Sequence, residues 1–304
     1  NGGGAMWDVV LSSSVTENGY NIVQCTGVPT LSLVLRVDGI VNVEQFGAVG
    51  DGVTDDWAAI QAAIDYSKSL GSPFYSVNFG RGTFGLSAEL DRSGNGVYID
   101  ILGAGQRNTI LKVLTGSTPF NSVINLAESS DVAGRTRVQD FTIDCEGLCD
   151  YGIDAQSMRY WTMRNVEIKN ATVASMIGGN WDTLIVNNSF NLSPIGFLLR
   201  NIVTNNPAAN GLTITDNAIT SCPIGLKAEL LFNDASIYDN IFDTCVDAGI
   251  WLAEGCRKGM LDDNYFEKCG TGTGVTVPVN GGGTEQVAAP IVISYDPTAV
   301  TSTT

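Results

Sequence analysis

The residue types of this chain restrict the chemistry that it can perform. Histidine is absent, which excludes Ser-His-Asp triads, Cys-His nucleophiles and His-ligated zinc. Any catalysis must therefore use Asp, Glu, Arg, Lys or Tyr. Glu229 and Glu254 occupy similar positions in neighbouring segments, and strands stacked in that register would bring the two carboxyl groups within about 5 to 9 Å. That separation predicts glycoside hydrolysis, with one carboxyl as acid and the other as nucleophile or base; two solvated surface carboxylates are the alternative.

Five further side chains are predicted to bind a saccharide beside this pair, namely Arg200, Lys227, Trp251, Asp154 and Gln156. An exposed indole offers a flat apolar platform for a sugar ring, and the two cations could hold acidic sugars. For Trp251 the alternative is a subunit interface, where aromatic residues are enriched. For Arg200 and Lys227 the alternative is a salt bridge to Glu229.

Three aspartates are weak candidates for a metal site. Asp216, Asp239 and Asp263 each precede an asparagine that repeats along the chain, so stacking would place like charges within about 5 Å of each other. A calcium ion with carboxylate and carbonyl ligands would relieve this repulsion. Outward splay into water is the alternative, and no other cofactor is expected.

A repeat predicts the elements that position these residues. From about residue 140 onward an apolar anchor recurs, at Ile143, Ile168, Phe190, Ile219, Phe242 and Phe266. Periods of 20 to 50 residues are typical of solenoids, and β-branched, Asn- and Gly-rich units favour a parallel β-helix. Two residues before the last four anchors stand asparagines that tolerate left-handed backbone and can bond their neighbours, namely Asn188, Asn217, Asn240 and Asn264.

Cysteines repeat in the same phase, three residues after an anchor, at Cys222, Cys245 and Cys269. Parallel side chains on adjacent coils suit disulfides poorly. We therefore expect buried free thiols that fill space as small apolar groups.

Each later unit also has a second strand that follows a glycine. Alternation along these strands predicts which side chains face the core. The inward set is Phe197, Leu199, Leu226, Ala228, Ile250 and Leu252, and the exposed set is Leu198, Arg200, Lys227, Glu229, Trp251, Asp154 and Gln156. The loop at residues 201–210 lengthens one repeat.

Composition limits the partners of this chain, which the repeats predict to be all-β. The net charge of -16 argues against nucleic acid as a partner, and no apolar run is long enough for membrane insertion.

The regions outside the repeats divide the chain. We expect a neck or adaptor at residues 1–41, a β-helix at 42–280 and a linker or further region at 281–304. A short helix starting near Asp55 is predicted to cap the first coil. Because the chain lacks an initiator Met, it reads as a fragment.

Three motifs resemble a known superfamily. The segment VNVEQFGAVGDGVTDD at residues 41–56, GRGTF at 80–84 and LGAGQ at 102–106 are similar to the opening of pectate-lyase-like β-helix proteins. The resemblance implies a right-handed, single-stranded parallel β-helix that acts on carbohydrate. The segments MWDVV at 6–10 and YNIVQ at 20–24 resemble the neck of bacteriophage tailspikes.

Together these features predict a tailspike that binds and depolymerises a bacterial surface polysaccharide, by endo-glycosidic hydrolysis. The resemblance implies a homotrimer located in the phage tail, in contact with other tail proteins; secretion is the alternative location. Two alternative functions stay open. One is a polysaccharide lyase that uses Lys227 or Arg200 as base, and the other is a non-catalytic receptor-binding or adaptor module.

Overall fold

Stacked parallel strands form most of the protein, as the repeat predicts. The computed structural model describes residues 5–37, 39–71, 75–93, 99–128, 132–133, 135–178, 181–200, 208–229, 231–253, 259–278 and 284–294. Within these ranges, a 19-stranded sheet and an eight-stranded sheet surround one main hydrophobic core. A regular coil contributes two strands to the larger sheet and one to the smaller, and all pairings between successive coils are parallel.

The strand bounds follow this winding. The larger sheet contains Ile40–Asn42, Asp51–Asp55, Tyr75–Asn78, Gly82–Leu86, Ile99–Leu102, Thr109–Val113, Val132–Ala133, Arg137–Asp144, Met158–Arg159, Thr162–Lys169, Trp181–Val186, Ser189–Asn191, Ala208–Thr215, Ala218–Thr220, Leu231–Asn233, Ala235–Tyr238, Ile241–Asp243, Gly259–Asp262 and Tyr265–Glu267. The eight-stranded sheet contains Leu90–Asp91, Phe120–Asn125, Cys149–Gln156, Val173–Gly178, Ile195–Leu199, Ile224–Ala228, Ala248–Leu252 and Ala289–Ile293.

The predicted anchors form one stack through the core. Direct strand partners connect Phe84, Leu111, Ile143, Ile168, Phe190, Ile219, Phe242 and Phe266 in that order. All are buried except Phe266, which is partly buried near the last coil. The predicted stack is therefore confirmed, and it begins two coils earlier than the sequence repeat showed.

The asparagines form a ladder beside this stack. The side-chain amide of each asparagine donates from Nδ2 to Oδ1 of the next: Asn188 to Asn217, Asn217 to Asn240 and Asn240 to Asn264. Each of these distances is 2.9 Å. The left-handed residue is the one before each asparagine, as at Asp216 with φ of 57°. The ladder asparagines themselves are buried or partly buried, so their role is to pair backbone groups where the larger sheet turns.

A helix and a buried carboxylate organise the first coil. The α-helix Trp57–Ser69 packs Ile60 and Ile64 into the core, which agrees with the predicted cap. Asp56, at the end of the DGVTDD motif, accepts hydrogen bonds from the backbone N–H groups of Val49, Gly50 and Gly85. This part of the motif therefore has a structural role, since it satisfies buried donors.

Further elements lie around the coils. Met6–Leu11, Ile22–Gln24 and Leu31–Arg36 form an antiparallel sheet, and 3-10 helices span Ser12–Ser14 and Val43–Phe46. Val275–Pro278 and Thr284–Val287 form a hairpin. Strand Ala289–Ile293 pairs with Ala248–Leu252, so the eight-stranded sheet continues past residue 280. In the described ranges no helix has the length and apolar character required to cross a membrane.

The repeating cysteines are buried free thiols in the structure. Cys222, Cys245 and Cys269 each direct the sulfur towards a backbone carbonyl of the preceding coil, at Phe190, Ile219 and Phe242 respectively. Burial raises the pKa of Cys222 to about 11. A thiol with a pKa this high is protonated at neutral pH, and Cys222 is therefore chemically inert.

We predict that Asn217→Ala destabilises the protein by about 3 kcal/mol or more, because several buried polar groups lose their partners. Its amide donates to the carbonyls of Ile185 and Thr215 and to Asn240, and accepts from Asn188. Urea unfolding followed by tryptophan fluorescence measures the change. The control is Asn191→Ala, whose amide makes one 3.5 Å contact and should cost less than about 0.5 kcal/mol. Equal unfolding midpoints for the two variants would contradict the structural role of the ladder.

Candidate functional site

The outer face of the eight-stranded sheet carries most of the residues that the sequence predicted for the site. Direct strand partners form an outward column of Asp91, Asn125, Asp154, Met176, Leu198, Lys227, Trp251 and Val292. Asp154 and Lys227 share this column but are three strand spacings apart, about 14 Å. The face thus holds two separate polar clusters.

Two side chains of the predicted exposed set are buried in the structure. The inward residues are buried as expected, but Leu198 is only 3% exposed and Asp154 only 5%. Tyr151 and Ile195 pack against Met176 and Leu198. The predicted exposure of Leu198 and Asp154 was therefore wrong, because alternation identifies the side of a strand and not the neighbours that cover it.

Glu229 lies in an ion-pair network. Its Oε2 accepts a hydrogen bond from Nε of Arg200 at 2.5 Å, and its Oε1 forms an ion pair with Lys227. Burial raises the pKa of Glu229, but the hydrogen bonds from these two cations outweigh burial, and the pKa lies below its ordinary value. The carboxylate is therefore ionised near neutral pH, which suits a nucleophile or base and not a general acid.

Trp251 is already engaged by other residues. The ammonium of Lys227 lies 4.5 Å from the centroid of the indole ring, and Nε1 is 3.2 Å from the hydroxyl of Ser294. The indole also packs against the apolar cluster of Val275, Val277 and Val292, to which the hairpin contributes. The prediction of an exposed platform was wrong for this reason. Glu254 lies outside the described residues.

Asp154 has the environment of a protonatable acid. Its carboxyl group accepts a hydrogen bond of 2.8 Å from Gln156, and the amide of Asn121 lies 3.5 Å away. Burial raises the pKa of Asp154; the two amides oppose this effect, and the charge of Glu89 adds to it. Gln156, predicted to bind substrate, thus also orients this carboxyl group.

Two residues near Asp154 were missed by the sequence analysis. Glu89 accepts hydrogen bonds from the backbone and hydroxyl of Ser122 and from Asn125, at 2.6 to 3.2 Å. Burial raises the pKa of Tyr151, Arg200 opposes the shift, and Asp154 adds to it. Glu89 precedes the regular repeats. Tyr151 stands directly before a glycine that opens one of the predicted second strands. This position in the repeat was the signal that could have placed Tyr151 beside Asp154.

A surface groove runs near Asp154 and Tyr151, along the turns that lead from the larger sheet into the eight-stranded sheet. It consists of two depressions with volumes of about 550 and 270 Å³, which share Gly147 and Thr172. The larger extends to Leu192 and Pro194, and the smaller to Asn121. We call it the turn groove, and it leads to the amide that contacts Asp154.

The three candidate metal ligands do not gather into a site. Asp216, Asp239 and Asp263 are exposed, and each has a left-handed backbone. The hydroxyl of Thr215 donates to Asp216. In the part of the chain that the structure describes, no group of three or more Cys, Asp or Glu side chains could hold a metal ion.

Two family models match separate parts of the chain. Residues 40–136 match the family model described as rhamnogalacturonase A/epimerase, pectate lyase-like. Residues 151–287 match the right-handed β-helix region. A mannuronan C5-epimerase of Azotobacter vinelandii is 40% identical over 107 residues, which cover 34% of this chain and 10% of that enzyme. The chain thus spans about a tenth of the length of this curated relative.

Solved structures share the fold. The surface adhesin PfbA of Streptococcus pneumoniae aligns with a TM-score of 0.62 at 17% identity, covering 85% of this chain and 67% of PfbA. An exopolygalacturonase from Thermotoga maritima aligns with a TM-score of 0.54 at 14% identity, covering 86% of this chain and 77% of the enzyme. A surface adhesin and an exopolygalacturonase therefore both use this architecture, so the function must be argued from the site.

We predict that Glu229→Gln lowers the melting temperature at pH 7, because Arg200 and Lys227 lose their counter-charge. The folded-state pKa of Glu229 is lowered, so its stabilisation is present above the ordinary value of 4.5 and is lost as pH falls through the lowered pKa. The difference in melting temperature between parent and variant should therefore shrink below pH 4.5. A difference that stays constant from pH 7 to about pH 3 would contradict the ion-pair assignment.

Proposed function

We propose that this chain, a right-handed parallel β-helix of the pectate-lyase-like superfamily, binds and cleaves a bacterial surface polysaccharide at the outer face of its eight-stranded sheet. The observation that carries the proposal is Asp154, a buried carboxyl with a raised pKa that stands beside a second carboxylate and an open groove. Carboxyl groups of this kind act as general acids in glycoside hydrolysis.

In this mechanism Asp154 donates its proton to the glycosidic oxygen as the bond breaks. Glu89, oriented by Ser122 and Asn125, acts either as the nucleophile or as the base that activates water. A narrow separation of the reacting carboxyl groups gives retention of anomeric configuration, and a wide one gives inversion. The pair of Glu229 and Glu254 is the second candidate, with Glu229 as nucleophile or base.

A lyase is the second candidate function. The similarity to an enzyme named mannuronan C5-epimerase favours it, since elimination from a uronic acid also begins with removal of the proton at carbon 5. Lys227 or Arg200 would be the base, and both form ion pairs with Glu229. Unsaturated sugar ends in the products, detected by ultraviolet absorbance, would establish elimination and exclude hydrolysis.

We further propose that the protein is a homotrimeric phage tailspike that contacts other tail proteins through its N-terminal sheet. The support is the exposed apolar surface of that sheet, where Met6, Val9 and Leu11 are each more than 60% exposed, since such patches mark interaction sites. A non-catalytic adaptor of the tail is the alternative for this region. Analytical ultracentrifugation of the full chain tests the trimer.

We predict that Asp154→Asn lowers the rate of polysaccharide cleavage by about 100-fold or more while binding is retained. The amide keeps the shape of the carboxyl but carries no transferable proton. The readout is reducing ends released from the capsule or lipopolysaccharide of the host bacterium. In the parent, the rate should fall on the alkaline side as Asp154 loses its proton, and this limb should be absent from the residual rate of the variant.

Asp91→Asn is the matched control for this prediction. Asp91 stands in the same outward column but is exposed, so its variant should cleave at the parental rate. Full activity of Asp154→Asn would remove Asp154 from the mechanism and would favour the Glu229 pair.

A further inference from the structure

We infer that the turn groove binds uncharged pyranose units of the polysaccharide, those carrying hydroxyl or acetamido groups, and excludes uronic acids. The inference rests on the proposed function and specifies its substrate class. It depends on three features of the groove, which are a fixed polar wall, an exposed apolar edge and cations that are already paired.

The polar wall of the groove is held in place by neighbouring contacts. The amide of Asn170 donates to Asp144 at 2.8 Å, and Asp144 is in turn paired with Lys169 at 2.9 Å. The carbonyl of Asn170 accepts from the backbone of Gly147 at 2.8 Å. A preorganised amide loses little entropy when it exchanges hydrogen bonds with sugar hydroxyl or acetamido groups.

The apolar edge of the groove has an unusual backbone. Leu192 is 59% exposed and has φ of 55°, a left-handed conformation that leucine adopts at an energetic cost. The same turn position in other coils is occupied by Asn170, Ser221, Thr244 and Lys268. A leucine at this position gains neither packing nor backbone stability, and its side chain is instead available to the apolar face of a ligand beside Pro194.

The charges around the groove disfavour an anionic ligand. Glu146 and Asp150 line it, and Lys112 and Lys169 are paired with Glu146 and Asp144 at 3.1 and 2.9 Å. Among the described residues that line the groove, a uronate carboxylate would therefore meet Glu146 and Asp150 and no lysine or arginine. The net charge of -16 adds to this repulsion. Hydroxyl and acetamido groups meet no such repulsion. This substrate class differs from the mannuronan of the curated relative.

The groove also leads to the proposed catalytic acid. Its smaller depression is lined by Asn121, whose amide lies 3.5 Å from Asp154. A polysaccharide bound along the turns would therefore extend to the face where Asp154 is placed. The groove would act as a recognition site beside the bond that is cleaved.

Calorimetric titration of the full chain carrying Asp154→Asn tests the inference without turnover. The probes are cellopentaose, the pentamer of N-acetylglucosamine and the pentamer of mannuronate. We expect at least one neutral pentamer to bind about tenfold more tightly than the mannuronate pentamer, with little change in affinity between about 50 and 500 mM NaCl.

Leu192→Asn, added to the same chain, should weaken binding of that neutral pentamer by about fivefold. Asparagine tolerates the left-handed backbone better than leucine, so the urea unfolding midpoint should not fall. Ser221→Asn is the matched control, because Ser221 has φ of 56° at the same turn position, one coil further along, and does not line the groove. It should bind like the parent.

The outcomes separate this inference from the proposed function. Tighter binding of mannuronate would overturn the substrate class, and equal affinities for Leu192→Asn and Ser221→Asn would overturn the location. If no pentamer binds but the parent still degrades host polysaccharide, the inference fails and the proposed function stands. If the parent neither binds nor degrades polysaccharide, both are refuted.

Discussion

The fold depends on the stacking of similar side chains at the spacing of parallel β-strands. At about 4.8 Å per coil, every inward side chain lies directly between its counterparts in the coils above and below. The stack from Phe84 to Phe266 meets this condition with aliphatic and aromatic residues alone. The asparagine ladder meets it with a polar residue, because one amide can donate to the next coil and accept from the previous one. A single unmatched residue would leave a buried group unpaired on both sides.

The same spacing explains the glycines that open the second strands. A Cβ atom added to Gly225 would lie 2.6 Å from the ring of Phe242, and one added to Gly249 would lie 2.6 Å from the ring of Phe266. The anchor of one coil therefore fills the space that a side chain on the neighbouring strand would need. Gly152 and Gly196 meet the anchors Ile168 and Ile219 in the same way. In these coils a change at the anchor must therefore be matched at the glycine. This coupling keeps the repeat recognisable despite its uneven length.

The predictability of each feature follows from this coupling. The anchors, ladder and thiols could be predicted because every coil imposes the same demand on them. Outward residues face no such demand, so the sequence indicated the side of Asp154 and Trp251 but not their burial. The hairpin packs against Trp251, and Tyr151 packs against Met176 and Leu198, which follow Asp154 in the outward column. Alternation along a strand does not reveal such contacts. Glu89 could not be predicted as a neighbour of Asp154, because it precedes the regular units. Its position is fixed by the hydrogen bonds that it accepts from Ser122 and Asn125.

Register is therefore what links the solenoid to the proposed chemistry. Along the outward column the side chains change from carboxyl to thioether, leucine, ammonium and indole, whereas the adjacent inward column stays apolar at Ala155, Ile177, Leu199, Ala228 and Leu252. A shift of one residue would move Asp154 into the core, and a shift of one coil would remove it from the amides of Gln156 and Asn121. The rigid stack can thus hold a desolvated carboxyl at one defined point of an otherwise variable face. Variation at the outward positions can change ligand recognition while the core that fixes Asp154 is preserved.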